Sequence, residues 1–329
     1  MGRSGVTPLR MVLLGDGAWA ALTLERLLAG SHEVLAVILR TQPSNSTLAD
    51  TARRFGIPTR QPARINSADA TTALAGLSPD LLVSIAYDQI LRAPTRSVAR
   101  LGAINFHAGK LPYYRGRNVI NWAIINGETE IGLTAHFMDD GIDTGDILLQ
   151  RTLPINWTDT YGDVLARVTA AMPDLVTATL DGLAAGTLVP RSQRELPGTY
   201  CGGRGPGDEW LDWSDSSASL HNKVRAIARP GPGALTSLNG HRVIIWQAYF
   251  DPAWPRYIAT PGQVVGRTAN GAMVKTGDST LLVQRVELDE GPIVVPQWTI
   301  GTRLDVNQLS TVVERLSRYD DAAYPGALP

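Results

Sequence analysis

The stretch Met11-Val12-Leu13-Leu14-Gly15-Asp16-Gly17 decides how this chain is read. Four consecutive apolar residues that break at once into glycine predict a short buried strand followed by a tight turn. Leu22, Leu24, Leu27 and Leu28 then recur in a helical pattern, and Val34 to Leu39 is rich in β-branched residues. Strand, helix, strand implies a parallel pair joined by a right-handed crossover. The pattern repeats: Leu48 to Phe55 predicts a helix, Gly56 to Thr59 a short strand, and Ala70 to Leu77 a helix ending before Pro79. Leu81 to Ala86 and Gly102 to Phe106 read as two further strands. Such alternation specifies an open α/β sheet. Gly132 to Met138 alternates apolar and polar residues, as an antiparallel strand does, and Tyr161 to Leu183 is a long amphipathic helix interrupted only by Pro173.

A chain of 329 residues exceeds the size at which single cores stop growing, roughly 250 to 300 residues, so two domains are expected. The glycines and prolines between Pro197 and Gly207 mark the linker, giving a first domain over 1–198 and a linker plus second domain over 199–329. Short strand-like pieces at Arg242 to Ala248, Gly262 to Arg267, Gly271 to Lys275 and Thr280 to Glu287, separated by glycine-bearing turns, predict a small β-barrel there. Cys201 is the single cysteine, which excludes an intramolecular disulfide and a multi-cysteine metal site and points to a reducing compartment. The N-terminal apolar run is too short for a signal segment or a membrane span. A cytoplasmic protein without a resident metal is the expectation. Thirty basic against thirty-one acidic residues offer no global attraction to phosphate backbones or anionic lipid.

The chemistry is carried by Asn105-Phe106-His107 and, thirty-six residues after the histidine, by Asp143 in the loop Asp139 to Asp146. Two residues apart on one strand, the side chains of Asn105 and His107 leave the same face, while Phe106 points into the core. Attack of an amine on a carbonyl builds negative charge on oxygen and positive charge on nitrogen; an amide N–H serves the first and an imidazole the second. A carboxylate beside the imidazole favours its protonated form, so Asp143 is expected to tune His107. Other features read as structural. Gly15-Asp16-Gly17 lacks the third glycine of a dinucleotide fingerprint, since position 20 is Ala, and is taken as a plain turn. His136 alternates with apolar residues and is taken as an internal hydrogen-bonding residue. The aromatic residues Trp246, Tyr249, Phe250 and Trp254 serve as core or as a stacking platform.

The segment from Asn105 through His107, Gly109-Lys110-Leu111-Pro112, Tyr113-Tyr114-Arg115-Gly116-Arg117 and Asn118, followed by Asn121-Trp122-Ala123, Asn126-Gly127-Glu128 and the Asp139 to Asp146 loop, resembles the 10-formyltetrahydrofolate-dependent formyltransferases. The likeness covers most of positions 80 to 155. A weaker one runs through Asp212-Trp213-Ser214, Leu220-His221-Asn222 and Pro232-Gly233-Ala234. The resemblance implies a Rossmann-like, mostly parallel sheet (the formyltransferase fold) with a smaller OB-like C-terminal domain. It implies 10-formyltetrahydrofolate as cosubstrate, Asn105 as oxyanion stabiliser, His107 as proton handler and Asp143 as the residue that raises the histidine pKa. It further assigns folate contact to Arg117, Asp139, Asp140, Gly141 and Ile142, with the backbone near Ala86, Tyr87 and Asp88 lining a pterin pocket. Lys110, Tyr113 and Arg115 are the candidate substrate-binding residues.

Gly109-Lys110-Leu111-Pro112 stands where many members carry Ser-Leu-Leu-Pro, and together with Tyr-Arg-Gly-Arg-Asn it is most similar to the sugar-nucleotide formyltransferases. The acceptor expected from this is a primary amine on a nucleotide-linked amino sugar. Formylation of methionyl-tRNA stays open as an alternative, although Arg40 to Asp50 carries one basic residue where a polyanionic partner calls for several. An antibiotic or siderophore amine, hydrolysis in place of transfer, and a non-catalytic binding module on the same scaffold are further alternatives. A homodimer is one open arrangement.

Overall fold

The computed structural model describes residues 7–194 and 196–304. They fall into two compact units: one of residues through Val119, Glu130–Pro154 and Leu165–Gly202, the other of Ile120–Thr129, Ile155–Val164 and Gly203 onward. Two short segments from the N-terminal half of the sequence thus belong to the second unit.

Along the chain come β1 (Arg10–Gly15), α1 (Gly17–Leu28), β2 (Glu33–Leu39), α2 (Thr47–Arg54), β3 (Thr59–Arg60), α3 (Ala68–Ala75), β4 (Leu81–Ile85), α4 (Ala93–Arg96) and β5 (Ala103–His107). Then follow β6 (Arg115–Gly116), α5 (Val119–Ile125), β7 (Glu130–Phe137), β8 (Ile147–Pro154), α6 (Tyr161–Ala184) and β9 (Tyr200–Cys201). The strands of the first unit form a seven-stranded sheet in the order β3-β2-β1-β4-β5-β7-β8, with β6 and β9 paired separately. β1 to β5 run parallel, while β7 and β8 are antiparallel. This is the open α/β sheet expected from the alternating sequence, in the Rossmann-like form that the resemblance implies.

The four apolar residues Met11 to Leu14 are inaccessible to solvent, as are Leu81, Leu82, Val83 and Ile85 beside them, because a parallel sheet has both faces covered. α1 buries Ala20, Ala21, Leu24 and Leu27, a stripe with the helical period. Ser67 caps α3 by accepting from the Ala70 N–H at 3.3 Å. From β1 the chain winds outward both ways, to β2 and β3 on one side and to β4 and β5 on the other. The crevice outside the C-terminal ends of β1 and β4 is therefore the topological switch point, where open α/β sheets hold their ligands. Gly15 ends β1 there, and a Cβ on it would lie 2.7 Å from the Ile85 carbonyl oxygen and 2.9 Å from Ala20 Cβ. Only glycine lets these backbones approach.

The second unit continues with α7 (Ser217–Ala226), β10 (Ala234–Leu238), β11 (His241–Tyr249), β12 (Val264–Thr268), β13 (Gly271–Lys275) and β14 (Thr280–Leu288). Its strands form an antiparallel five-stranded sheet, β10-β11-β14-β13-β12. Trp213 is fully buried and donates its indole N–H to Thr236 Oγ1 at 3.0 Å. Of the aromatic residues singled out in this region, Phe250 is buried and the others are half-buried: Trp254 sits edge-on to Tyr249 and Phe250, and Trp246 donates to Glu287 while the Arg229 guanidinium covers its ring. No described helix is long and apolar enough to cross a membrane.

Leu82 belongs to the buried cluster of Val12, Leu14, Ile38, Ile65 and Leu74. Leu82→Ala should lower the unfolding free energy by about 2–5 kcal/mol in a urea titration. Leu22→Ala, on the exposed side of α1, should change it by less than about 0.5 kcal/mol.

Candidate active site

β5 presents Asn105 and His107 on one face and buries Phe106 on the other. The loop between β7 and β8 folds back over that face. Asp143 Oδ1 accepts from Asn105 Nδ2 at 3.2 Å, and its Oδ2 lies 3.6 Å from His107 Nδ1. The three residues singled out for chemistry are thus brought together. A fourth joins them: His136, the β7 partner of Asn105 in the sheet register, places Nε2 3.3 Å from Asp143 Oδ1 and 3.4 Å from Asn105 Nδ2.

The loop is held in shape from within. Asp139 Oδ1 accepts from the Gly141 N–H at 3.0 Å and from Thr144 Oγ1 at 2.6 Å. Gln193 Nε2 donates to the carbonyls of Asp143 at 3.2 Å and Gly145 at 2.6 Å. Asp143 itself has φ +54°, a left-handed conformation that aspartate tolerates better than most residues. The Gly116 N–H donates to Asp143 Oδ2 at 2.8 Å. Gly116 has φ +96°, and a Cβ there would lie 2.3 Å from the Cys201 carbonyl oxygen. Segments 114–117 and 199–201 are stitched together by bonds from the Tyr114, Arg115 and Arg117 N–H groups to Thr199 Oγ1, the Thr199 carbonyl and the Cys201 carbonyl. The stretch read as the start of a linker is therefore part of the frame around Asp143.

His107 Nε2 is 2.6 Å from the Tyr114 carbonyl oxygen. A carbonyl only accepts, so Nε2 carries the hydrogen and Nδ1 faces the carboxylate. Burial pushes the His107 pKa down; the Asp143 charge and the bond to Tyr114 pull it up, His136 pushes it further down, and the balance lies below the ordinary value. Asp143 acts in the expected upward sense, although desolvation outweighs it. For Asp143, burial raises the pKa, yet His107, His136 and the Gly116 N–H together hold it well below the usual carboxylate range. It is ionised.

Ala86 follows β4 at the switch point with φ +55°, and Tyr114 and Asn118 have φ +57° and +53°. With Asp143 they place four left-handed non-glycine residues on the segments that carry or adjoin the candidate site, the kind of strain that functional sites concentrate. Tyr87 packs against the core cluster and its phenol pKa is raised by burial. Asp88 accepts from the Thr41 N–H at 3.0 Å and faces Arg40 Nε at 3.8 Å. Asp140 pairs with Arg96 at 2.6 Å, and Ile142 is half exposed. Lys110 is ion-paired with Glu130. Tyr113 is exposed. Arg115 is buried, donating to Gln193 Oε1 at 3.0 Å and to the Tyr200 hydroxyl at 3.4 Å. Arg117 is exposed, and its guanidinium has no partner among the described residues. Of the expected ligand-binding cations, only Arg117 is uncommitted. The Tyr114 carbonyl, Gly116 and Gln193 carry no signal in the sequence that marks them as site residues, and His136, read as an internal hydrogen-bonding residue, forms such bonds beside the site. A cavity of about 540 Å³ lined by Ile38, Arg60, Arg64, Ile65 and Leu74 includes none of these residues.

Because the Asp143 carboxyl titrates lower in the folded chain than in the unfolded one, it adds stability above its unfolded pKa of about 4 that is lost as pH falls through its folded value. Asp143→Asn should therefore lower the denaturation midpoint at pH 7 and flatten its decline between about pH 5 and 3. Chemical denaturation at a series of pH values measures both.

Known family profiles and relatives match along most of the chain. The formyl transferase profile matches residues 9–180, and the formyl transferase C-terminal domain profile matches residues 205–303. The methionyl-tRNA formyltransferase of Solibacter usitatus is 34% identical over 310 residues, covering 91% of this chain and 98% of its own. That of Pseudomonas fluorescens is 34% identical over 316 residues, covering 93% and 98%. Among solved structures, the N-formyltransferase of Helicobacter canadensis, in complex with folinic acid and dTDP-3-aminofucose, superposes with a TM-score of 0.67 at 20% identity, covering 84% of this chain and 99% of its own. The sugar 3N-formyl transferase WlaRD gives 0.66 at 19% identity, covering 84% and 97%. With both profiles matched in order and relatives aligned over nearly their whole length, the chain belongs to the formyl transferase family.

Proposed function

We propose that the chain moves the formyl group of 10-formyltetrahydrofolate to the primary amine of a nucleotide-linked amino sugar. The amine nitrogen attacks the formyl carbon, the carbonyl oxygen takes up the negative charge, and the bond from that carbon to N10 of the folate then breaks with a proton delivered to N10. Asn105 donates an N–H to the oxyanion. His107 Nδ1 is the ring nitrogen able to accept the proton released by the nucleophile, and Asp143 Oδ2 at 3.6 Å stabilises the imidazolium so formed. Ala86, Tyr87 and Asp88 at the switch point, with the loop from Asp139 to Ile142, hold the folate, and the uncommitted guanidinium of Arg117 takes an anionic group. Catalysis resides in the first compact unit, whose last residue is Gly202 and not residue 198, and the second unit supplies the OB-like portion.

The observation that carries a small acceptor is charge. Arg40 is the single basic residue in the segment joining β2 to α2, and its guanidinium already lies 3.2 Å from Asp16 and 3.8 Å from Asp88. Between residues 203 and 303 ten basic residues face nine acidic ones. A tRNA would demand several phosphate contacts from such surfaces. The solved N-formyltransferases with this fold include one determined in the presence of dTDP and one in complex with dTDP-3-aminofucose. Identity of 34% over nearly the full length of two methionyl-tRNA formyltransferases favours the second reading, in which initiator tRNA is the acceptor.

Incubating the protein with 10-formyltetrahydrofolate and a panel of amino-sugar nucleotides should give a product heavier by one carbonyl, seen by mass spectrometry. Silence across the panel with turnover of methionyl-tRNA would overturn the sugar reading. In the active assay, Asn105→Ala should reduce kcat on the order of 10²-fold, as loss of an oxyanion donor does.

A further inference from the structure

Arg115 is 6% exposed, a cation taken almost wholly out of water, and the groups that hold it among the described residues are neutral. They are Gln193 Oε1 at 3.0 Å, the Tyr200 hydroxyl at 3.4 Å and the Tyr200 ring, whose centre lies 5.4 Å from the guanidinium carbon. Its Nε is buried and meets no acceptor among the described residues. Stability alone does not select such a residue, since burying an ion is costly and an apolar side chain of similar volume avoids the cost. Gly198 is pressed against the guanidinium: a Cβ there would lie 2.4 Å from Nη1. On the far side of Gln193, which is 1% exposed, its Nε2 reaches the carbonyls of Asp143 at 3.2 Å and Gly145 at 2.6 Å. A guanidinium only donates and a carbonyl only accepts, so the amide between them fits one way round. Both hydrogens of Nε2 are thereby committed to the backbone on either side of Thr144, where Asp143 adopts its left-handed conformation.

We propose that Arg115 and Gln193 are positioning residues for formyl transfer: the guanidinium orients the Gln193 amide, and that amide fixes the loop backbone so that the Asp143 carboxylate meets Asn105 and His107. Arg115 thus serves the reaction from behind the loop, without touching the substrate. The relay moves no proton. Arginine stays charged throughout the working pH range, and each contact in the chain runs from a fixed donor to a fixed acceptor. A lysine at 115 would not replace it, because a single ammonium lacks the planar fork that engages Gln193 and Tyr200 together. This inference rests on the formyl-transfer reading of the site, but not on the identity of the acceptor.

Gln193→Glu separates the two ends of the relay. The carboxylate has the shape of the amide and pairs with Arg115 more strongly, but it donates nothing and turns an oxygen towards the Asp143 and Gly145 carbonyls. With whichever amine the wild type formylates, Gln193→Glu should lower kcat by about tenfold or more, within the roughly hundredfold that misplacing a site by about 1 Å can cost, and Gln193→Met should do the same. If Gln193 only filled space and answered Arg115, Gln193→Glu would keep its activity; a kcat for the folded variant within about twofold of wild type overturns the proposal. On an Asp143→Asn background, Gln193→Glu should cost almost nothing more, because both act through one carboxylate, and losses that multiply in full defeat it. A second arm needs no acceptor. In the resting protein the side-chain amide resonances of Asn105, assigned by their loss in Asn105→Ala, should move in Gln193→Glu, in Gln193→Met and in Gly198→Ala, whose added methyl displaces the guanidinium while leaving Arg115 and Gln193 in the chain. Asn105 resonances unmoved in all three folded variants overturn the relay, whether or not formyl transfer is ever observed.

Discussion

One buried carboxylate organises the candidate site. Asp143 lies within reach of two imidazoles, an amide and a backbone N–H, supplied by three pieces of chain: β5, β7 and the segment around Gly116. A charge taken out of water persists only where such partners surround it, and these are close enough to keep it ionised against the cost of burial. The arrangement works in both directions. The carboxylate holds Asn105 and His107 in one orientation, and the need to satisfy it dictates the left-handed backbone at Asp143, the glycine at 116 and the folding of the β7 to β8 loop across the sheet. Rigidity of this kind is what a preorganised site requires, since donors that need not move at the moment of reaction lose nothing to reorganisation.

The sheet supplies the platform on which that carboxylate can be presented. β1 and β4 are parallel and buried, and the reversal of winding between them leaves their C-terminal ends open to a ligand, with β5 alongside. The antiparallel β7 alongside β5 then brings a second row of side chains against Asn105. It is this change of direction, from parallel to antiparallel, that sets His136 opposite Asn105.

Much of this was legible in the chain itself. The run at Met11 to Leu14, the helical leucines after it and the strand spacings reveal the α/β sheet because buried parallel strands carry continuous apolar residues. Asn105 and His107 are readable as a pair because a strand repeats every two residues. What could not be read is whatever depends on pairing between distant segments. His136 has an ordinary strand pattern around it, and its register against Asn105 is a tertiary fact. Lys110 and Arg115 look like free cations in sequence; Glu130, Gln193 and Tyr200, which engage them, are 20, 78 and 85 positions away. The Tyr114 carbonyl carries no side-chain signature at all, yet it determines the tautomer of His107. Thr199 to Cys201 resembles linker because a two-residue strand is too short to show a period.

That last segment has a practical consequence. The backbone oxygens of Thr199 and Cys201 accept from Arg115 and Arg117, the residues flanking the glycine that holds Asp143. A fragment trimmed where the long helix ends, or even at residue 198, would keep every residue suggested for chemistry and still lack the splint that keeps the acid-bearing loop in place. The boundary that the fold itself draws falls after the lone cysteine, where the first compact unit ends at Gly202.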